Sequence, residues 1–192
     1  MARLVQIVLT VCFVQVSLAR VTPPAAAEDF FKNIADFGNH VQKALTDTQE
    51  SVVKSLGFQS NKDVVETLQN NTHKYVEQLK AVHTTLQKHA EKHSKQIEPV
   101  VKNLNAKLAE TTQKLSERNP ALVQKAKEYQ ESVQNSIQSL VTEAQKAGER
   151  LKEESRGATD ELQTALKQLF DLTVQNLQQT ASELESKKTK TV

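Results

Sequence analysis

Apolar side chains recur every eleven residues along most of this chain, and this interval constrains the fold more than any other feature of the sequence. The clearest sets with this spacing are Phe30, Val41 and Val52; Ile34, Leu45 and Leu56; and Val64, Tyr75, Leu86 and Ile97. Eleven residues complete three turns of about 3.67 residues each, so each set stays on one side of a nearly straight α-helix. The spacing therefore predicts long amphipathic helices rather than strands, whose side chains alternate with a period of two.

Few residues interrupt these stripes. The 192 residues include four Gly, four Pro and no Trp, whereas a sandwich, a barrel or a doubly wound sheet needs many turn residues. We predict an all-α fold, an elongated up-and-down bundle of five long amphipathic helices, each turning its apolar face towards its neighbours. The predicted helices span about 27–55, 61–91, 97–117, 120–150 and 158–187.

Three short stretches mark the ends of these helices. The stretch 57–60 ends the first helix, and Ser60 with Asp63 three residues later forms the pattern of a capping box at the start of the second. Asn119-Pro120 combines a favoured N-cap residue with Pro at the first helical position. The charged stretch 153–157 ends in Gly and predicts the last turn.

The first nineteen residues differ from the rest of the chain. Arg3 precedes an apolar run that ends in Ser17-Leu18-Ala19, which places small residues just before a cleavage point. This pattern predicts a secretory signal peptide over 1–19. We expect a candidate pro-segment over 20–24 and a single domain over 25–192.

Removal of that segment would change both the cysteine content and the charge. Cys12 is the only Cys of the chain, so the exported protein would have no disulfide option. Arg3 and Arg20 account for the formal net charge of +2, and the domain that follows is neutral. A neutral domain has no strong positive field, so we expect no nucleic-acid partner.

Threonine residues lie on or beside the predicted apolar faces, where a tightly packed core favours Leu or Ile. They are Thr48, Thr72, Thr112, Thr173 and Thr180. A buried hydroxyl lowers the gain from burial and needs a hydrogen-bond partner, often a backbone carbonyl. The pattern fits either ordinary variation in a helix bundle or a core that is loose enough to open.

The sequence contains no arrangement typical of an enzyme, such as a phosphate loop, a nucleophile elbow or a CxxC motif. His89 and His93 are four residues apart and could share a metal ion on one helix face. They lie among Lys88, Lys92 and Lys95, however, which favours a solvated charged cluster. We therefore predict no enzymatic activity, no metal site and no cofactor.

Asn70 is a candidate glycosylation site, because Asn70-Asn71-Thr72 is an acceptor sequon in a chain with a predicted signal peptide. On the predicted second helix Asn70 lies roughly opposite Leu68, so a glycan attached there would face solvent.

Several stretches resemble the insect exchangeable apolipoproteins of the apolipophorin III family. They are Ala25, Glu28, Phe30 and Phe31 at the start of the first helix, Arg118-Asn119-Pro120 between the third and fourth, and Glu143-Ala144-Gln145-Lys146 in the fourth. The signal peptide, the five helices and the lack of Cys and Trp after residue 25 add to the resemblance. It covers about 25–190.

The resemblance implies a secreted haemolymph protein that is a monomer without lipid and reversibly opens its bundle on lipoprotein particles. It implies binding to diacylglycerol and phospholipid surfaces, assistance in diacylglycerol transport, and recognition of microbial lipids such as lipopolysaccharide in innate immunity. It also implies a short extra helix at about 116–123.

If the chain binds lipid as the resemblance implies, we predict that the apolar stripes form its lipid-binding surface. Its residues are Phe30, Ile34, Phe37, Val41, Leu45, Phe58, Leu68, Leu79, Leu86, Leu104, Leu108, Leu122, Val133, Ile137, Leu140, Leu162, Leu166 and Leu177. An up-and-down order places the connections 57–60 and 116–121 at one end of the bundle. We predict that this end, with Phe58 and Leu122, enters the lipid first and that the turns act as hinges.

Two other classes of protein remain open as alternatives. A secreted structural coiled coil needs sustained heptads, and Ala126, Val133, Leu140 and Ala147 do follow a spacing of seven. Hydration-type protectant proteins also use eleven-residue repeats, with smaller stripes that are richer in Ala and Thr.

Overall fold

A computed structural model of the protein describes residues 33–90, 97–117, 125–153 and 160–187. These residues form five helices and no strand: α1 (Ile34–Ser55), α2 (Asn61–Ala90), α3 (Glu98–Ser116), α4 (Ala126–Glu153) and α5 (Asp160–Ser186). The predicted all-α fold is confirmed. The predicted signal peptide, the start of the first predicted helix and most of the predicted short helix lie outside the described residues.

The helices lie within the predicted segments except that α4 continues to Glu153 instead of ending near residue 150. Leu151 is buried and prolongs the apolar face by one turn. Arg150 and Lys152 lie in the last turn, where positive charge stabilises the carbonyl end of a helix. Both features favour a helix that runs further than the charged stretch suggested.

Ser60 caps α2, as the sequence predicts. Its hydroxyl oxygen accepts a hydrogen bond from the backbone N–H of Asp63 at 3.2 Å and donates to Oδ2 of Asp63 at 2.7 Å. A full capping box would return the carboxylate to the backbone N–H of the cap residue. Here the carboxylate binds the hydroxyl, since an Asp side chain is one methylene shorter than the usual Glu.

Hydrogen bonds between α1 and α5 show that these two helices run parallel. Thr48 donates to the carbonyl oxygen of Leu177 at 3.1 Å, and Ser55 donates to that of Leu184 at 3.3 Å. Both pairs are 129 residues apart, so the contact advances in the same direction along both helices. The first and fifth helices of an up-and-down bundle have this relation.

The neighbouring pair α2 and α5 runs antiparallel. Tyr75 contacts Thr173, while Asn71, one turn earlier in α2, contacts Glu183, which lies later in α5. The start of α2 also meets the start of α4, because Oδ1 of Asn61 accepts a hydrogen bond from the backbone of α4 at 3.3 Å. The turn at 56–60, the start of α4 and the end of α5 therefore lie at one end of the bundle.

The apolar core consists of two clusters. The larger contains residues of all five helices, among them Val41, Leu79, Leu104, Leu140 and Leu166. The smaller surrounds the turn at 56–60 and consists of Val52, Val64, Val65, Leu68, Ala126, Tyr129 and Leu184. The five stripes thus meet inside the bundle as two buried clusters, and the half-buried Val133 packs against both.

Buried polar side chains are confined to one half of the bundle. In the described residues they all lie from the middle of their helices towards the end with the turn at 56–60, a region that we call the polar half. They are Thr48, Ser51, Ser55, Thr67, Asn71, Thr72, Thr111, Gln130, Ser136, Thr173, Asn176 and Thr180. The opposite half, which we call the apolar half, holds most of the larger cluster. Burial of apolar surface therefore stabilises the polar half less than the apolar half.

Candidate lipid-binding surface

Most of the predicted lipid-binding residues lie inside the closed bundle. The buried ones are Ile34, Val41, Leu45, Leu68, Leu79, Leu86, Leu104, Leu108, Ile137, Leu140, Leu162, Leu166 and Leu177. Phe37 and Val133 are half-buried against the core, whereas Phe58 is exposed. Phe30 and Leu122 lie outside the described residues. A lipid surface can therefore reach most of this set only if the helices separate.

Two large apolar side chains of the described residues face solvent, both near the turn at 56–60. Phe58 is 64% exposed and Val53 is 49% exposed. A hydrogen bond from the backbone N–H of Phe58 to the carbonyl oxygen of Ser55 at 2.9 Å closes this turn. The sequence singled out Phe58 but not Val53, which stands one position off the apolar stripe of α1. We call these two exposed apolar side chains the Phe58 tip.

Helices α1 and α4 approach each other closely through two glycines that the sequence analysis did not single out. A β-carbon at Gly38 would lie 1.7 Å from Nε2 of Gln145, and one at Gly148 would lie 1.7 Å from Cδ1 of Ile34. Both glycines are buried. Their lack of a side chain lets the facing side chain occupy that space. We call this contact the glycine seam.

In the polar half, hydrogen bonds join α5 to α1 and to α2. We call this set of contacts the polar seam. The hydroxyls of Tyr75 and Thr173 lie 2.7 Å apart, and both residues are completely buried. Thr173 gives its single hydroxyl hydrogen to the carbonyl oxygen of Leu169 at 2.7 Å. Tyr75 must therefore be the donor in the pair. Burial raises the pKa of Tyr75, so this donor stays protonated.

The polar seam continues around Asn71, which is completely buried. Its carbonyl oxygen accepts from Nδ2 of Asn176 at 2.9 Å, and its own Nδ2 donates to Oε2 of Glu183 at 2.8 Å. Partial burial alone would raise the pKa of Glu183. Hydrogen bonds from Gln179 and Asn71, together with Lys74, outweigh that effect and hold the pKa below its ordinary value. Glu183 is therefore bound in its charged form.

We expect acid to weaken this part of the seam. Because the pKa of Glu183 is lower in the folded than in the unfolded chain, its stabilisation is complete above the ordinary value of 4.5 and is lost as the pH falls below it. The melting temperature should therefore fall more steeply from about pH 5 to pH 3 in the wild type than in E183Q. Circular dichroism melts would measure this. E131Q, which changes an exposed Glu of α4, should keep the wild-type slope, and an unchanged slope in E183Q would refute the prediction.

The outer surface is charged and balanced. Apart from Lys74–Glu183, which joins α2 to α5, the ion pairs of the described residues join residues three or four apart on one helix, as Lys43–Asp47 and Lys167–Asp171 do. On α3, hydrogen bonds from Lys114 and Lys107 lower the pKa of Glu110 to about 2. Exposed pairs of this kind contribute little to stability. They keep the outer faces in water without holding the helices together.

The bundle thus has apolar inner faces, an exposed apolar tip and polar outer faces. The family model described as apolipophorin-III precursor (apoLp-III) matches residues 42–187. This chain belongs to the apolipophorin-III family. The match begins within α1 and extends past the end of α5, so it includes the Phe58 tip and the polar seam. The chain matches none of the curated proteins and none of the solved structures with which it was compared.

Membership of the apolipophorin-III family confirms the predicted resemblance and makes the chain a lipid-binding apolipoprotein. The family is one of haemolymph lipid-binding proteins rather than enzymes. It therefore favours the apolipoprotein over the coiled coil and the protectant. The heptads of α4 belong to a helix that packs in a bundle.

Other predictions concern binding sites of different kinds. No helix of the described part is both long and apolar enough to span a membrane. Over the same residues, no group of three or more His, Cys, Asp and Glu is placed to hold a metal ion. The side chains of His89 and His93 lie outside the described part. Asn70 is exposed on α2, whereas Thr72 of its sequon is buried, and glycosylation stays a prediction.

Proposed function

We propose that this member of the apolipophorin-III family is a secreted exchangeable apolipoprotein. It opens its bundle reversibly, covers lipoprotein surfaces and so assists diacylglycerol transport in haemolymph. The main support for this proposal is that the predicted lipid-binding residues are buried between helices whose outer faces are polar. The protein is then a monomer without lipid, because the five inner faces satisfy one another.

The energetics favour an exchange between the two states. Each buried Leu, Val or Ile gains about 1.5–3 kcal/mol when it leaves water, whether a neighbouring helix or an acyl chain covers it. Most of the gain therefore cancels between bundle and lipid. What remains to resist opening is a net stability of about 5–15 kcal/mol, which many helix–lipid contacts can offset. The helices stay helical and change only what covers their apolar faces.

The Phe58 tip is the proposed point of first contact. It lies at the end of the polar half, where the smaller apolar cluster and the buried polar groups give less support from burial. Insertion of Phe58 would place this weaker end against the lipid before the apolar half separates. The turns between the helices would then act as hinges.

We expect F58S to slow the clearance of dimyristoylphosphatidylcholine vesicles several-fold, because the variant removes the aromatic ring that enters the lipid. Thermal stability should stay within about 0.5 kcal/mol of the wild type, since the ring is exposed in the bundle. F58L keeps an apolar side chain and should keep most of the rate. Equal rates for F58S and wild type would rule out the tip as the first contact.

The same inner faces suit the acyl chains of microbial lipids. The hydrophobic effect depends on the apolar area that is buried, so the apolar face of an opened helix binds acyl chains of any source. Lipopolysaccharide would therefore compete with lipoprotein surfaces for the open form. We propose this as the basis of a role in innate immunity.

A further inference from the structure

The last turn of α5 is fastened by residues outside that helix. The carbonyl oxygens of the last four residues of a helix have no partner within it, and Leu184 is one of the last four of α5. Its carbonyl oxygen accepts hydrogen bonds from the hydroxyl of Ser55 at 3.3 Å and from Nε2 of Gln59 at 3.0 Å. Ser55 is the last residue of α1, and Gln59 lies in the turn that follows it. We call these two hydrogen bonds the Leu184 clasp.

Other contacts of the same turn lie beside the clasp. Asn71 donates to Glu183, and Nζ of Lys187 donates to the hydroxyl oxygen of Thr67 at 2.7 Å. The side chain of Leu184 is completely buried in the smaller apolar cluster. A helix end that loses the partners of its carbonyl groups frays more easily. Loss of the clasp would therefore loosen these contacts too, and the smaller cluster would open before the apolar half.

The closed bundle holds Gln59 with one polar atom unsatisfied. Nε2 of Gln59 donates to Leu184, but Oε1 is buried and has no hydrogen-bond partner in the part of the chain that the structure describes. A buried acceptor of this kind has lost its hydration without replacement. Gln59 also lines a cavity of about 270 Å³ together with Lys125 and Lys127 at the start of α4, so the turn has room to move. Release would return both polar atoms of the amide to water or to lipid headgroups.

Gln59 directly follows Phe58, the exposed residue that is proposed to enter the lipid first. The Cα atoms of adjacent residues are about 3.8 Å apart, so the turn cannot carry Phe58 into the lipid without moving Gln59. Apolar groups at the boundary of headgroups and acyl chains lie about 5–10 Å deep. The hydrogen bond from Gln59 to Leu184 is lost when its length grows from 3.0 Å by only about 0.6 Å. Insertion of the ring therefore breaks this bond.

We propose that Gln59 is a positioning residue that couples the insertion of Phe58 to the release of α5. This inference rests on the proposed function, and it adds what starts the opening. Without lipid, the Leu184 clasp keeps the polar half closed. When the Phe58 tip enters a lipid surface, the turn moves, the carbonyl oxygen of Leu184 loses Gln59, and the end of α5 separates from α1 and α2. Contact with lipid thus controls opening at the end of the bundle that burial stabilises least.

The test is a double-mutant cycle on the clearance of dimyristoylphosphatidylcholine vesicles. The measured quantity is the factor by which F58S slows clearance, first in the wild type and then in Q59M. The Met side chain has nearly the length of Gln but can neither donate to Leu184 nor leave an amide oxygen unsatisfied. Q59M should fold, because Ser55 still donates to the same carbonyl oxygen.

Two further backgrounds serve as controls. Q113M makes the same substitution at an exposed Gln of α3, whose Nε2 donates to Glu117 at 2.7 Å. L79A lowers the stability of the bundle through the larger apolar cluster and leaves the clasp unchanged. The factor for F58S is measured in each of them. L79A therefore shows whether any change in Q59M comes merely from a less stable bundle.

We expect F58S to slow clearance several-fold in the wild type, in Q113M and in L79A. In Q59M the factor should be smaller by at least about 2-fold, the smallest coupling that such a cycle resolves, because the clasp is already weakened before the ring enters the lipid. The same factor in Q59M as in the wild type, or an equal reduction in L79A, would overturn the inference and leave the proposed function intact. If F58S had no effect in the wild type, the proposed first contact would fail, and this inference with it.

Discussion

A disulfide between α1 and α4 is expected to abolish lipid binding by holding the bundle closed. The glycine seam offers the position for it. A β-carbon at residue 148 would lie 3.2 Å from Cγ1 of Ile34, which is one bond from the Ile34 β-carbon. The two β-carbons of I34C/G148C would therefore lie close to the separation of about 3.5–4.5 Å that a disulfide spans. Replacing Ile34 also removes the methyl group that occupies this space.

The cross-link restricts the open and unfolded states and leaves the closed bundle unchanged. It closes a loop of more than one hundred residues, which corresponds to about 4–5 kcal/mol of stabilisation against unfolding. More importantly, α1 can no longer leave α4, so the inner faces of both helices stay covered. We expect the oxidised variant to clear dimyristoylphosphatidylcholine vesicles at the background rate.

Reduction of the same sample provides the control, since it changes nothing except the disulfide. The natural sequence has Cys12 as its only Cys, within the predicted signal peptide, so no other disulfide would compete in a protein that begins at residue 25. The reduced variant should recover clearance. If the oxidised protein clears vesicles as fast as the reduced one, lipid binding does not require the separation of α1 and α4.

The helices themselves could be predicted from the sequence because their signals are local. A stripe that recurs every eleven residues fixes which face of a helix is apolar, whatever the helix packs against. Likewise Ser60 and Asp63 are three residues apart, so the cap of α2 depends only on its own turn. The inner faces follow from the same stripes, and Leu79 and Leu140 lie in the core as such a pattern requires.

The closeness of α1 and α4 could not be predicted, because it depends on how two distant segments meet. Gly38 and Gly148 are 110 positions apart, and each alone is merely a residue that weakens a helix. A signal for one of them does exist, since Ala144, Ala147 and Gly148 place small residues on one face of α4. Nothing local shows that Ile34 fills the space beside Gly148.

The division into a polar and an apolar half also depends on the register between helices. The threonines were recognised on the inner faces, but Thr48 of α1 and Thr180 of α5 meet at one level only because these helices run parallel. Asn71 was noticed as part of a sequon, although in the structure it binds α5 through two groups, its side-chain amide nitrogen and its backbone carbonyl oxygen. Two of the five predicted threonines, Thr48 and Thr173, thus belong to one seam whose existence no single segment indicates.

L79A is expected to destabilise the bundle and at the same time to speed lipid binding. Leu79 is completely buried in the larger cluster. Its truncation should cost about 2–5 kcal/mol, the sum of the lost transfer free energy and the cavity that the rigid neighbours leave behind. Urea unfolding should show this as a lower midpoint with little change in slope.

The two contributions differ in where they act. The transfer free energy, about 1.5–3 kcal/mol for Leu, is lost in the bundle and on lipid alike, because both states cover the side chain. The cavity affects the bundle alone, since mobile acyl chains fill the space beside an Ala. The difference favours the open state, so vesicle clearance should be faster in L79A than in wild type. L79M conserves volume, should cost less than about 1.5 kcal/mol, and should clear vesicles at nearly the wild-type rate. Slower clearance by L79A would mean that Leu79 stabilises the lipid-bound state more than it stabilises the bundle. That result would contradict the proposal that helix–lipid contacts simply replace equivalent helix–helix contacts.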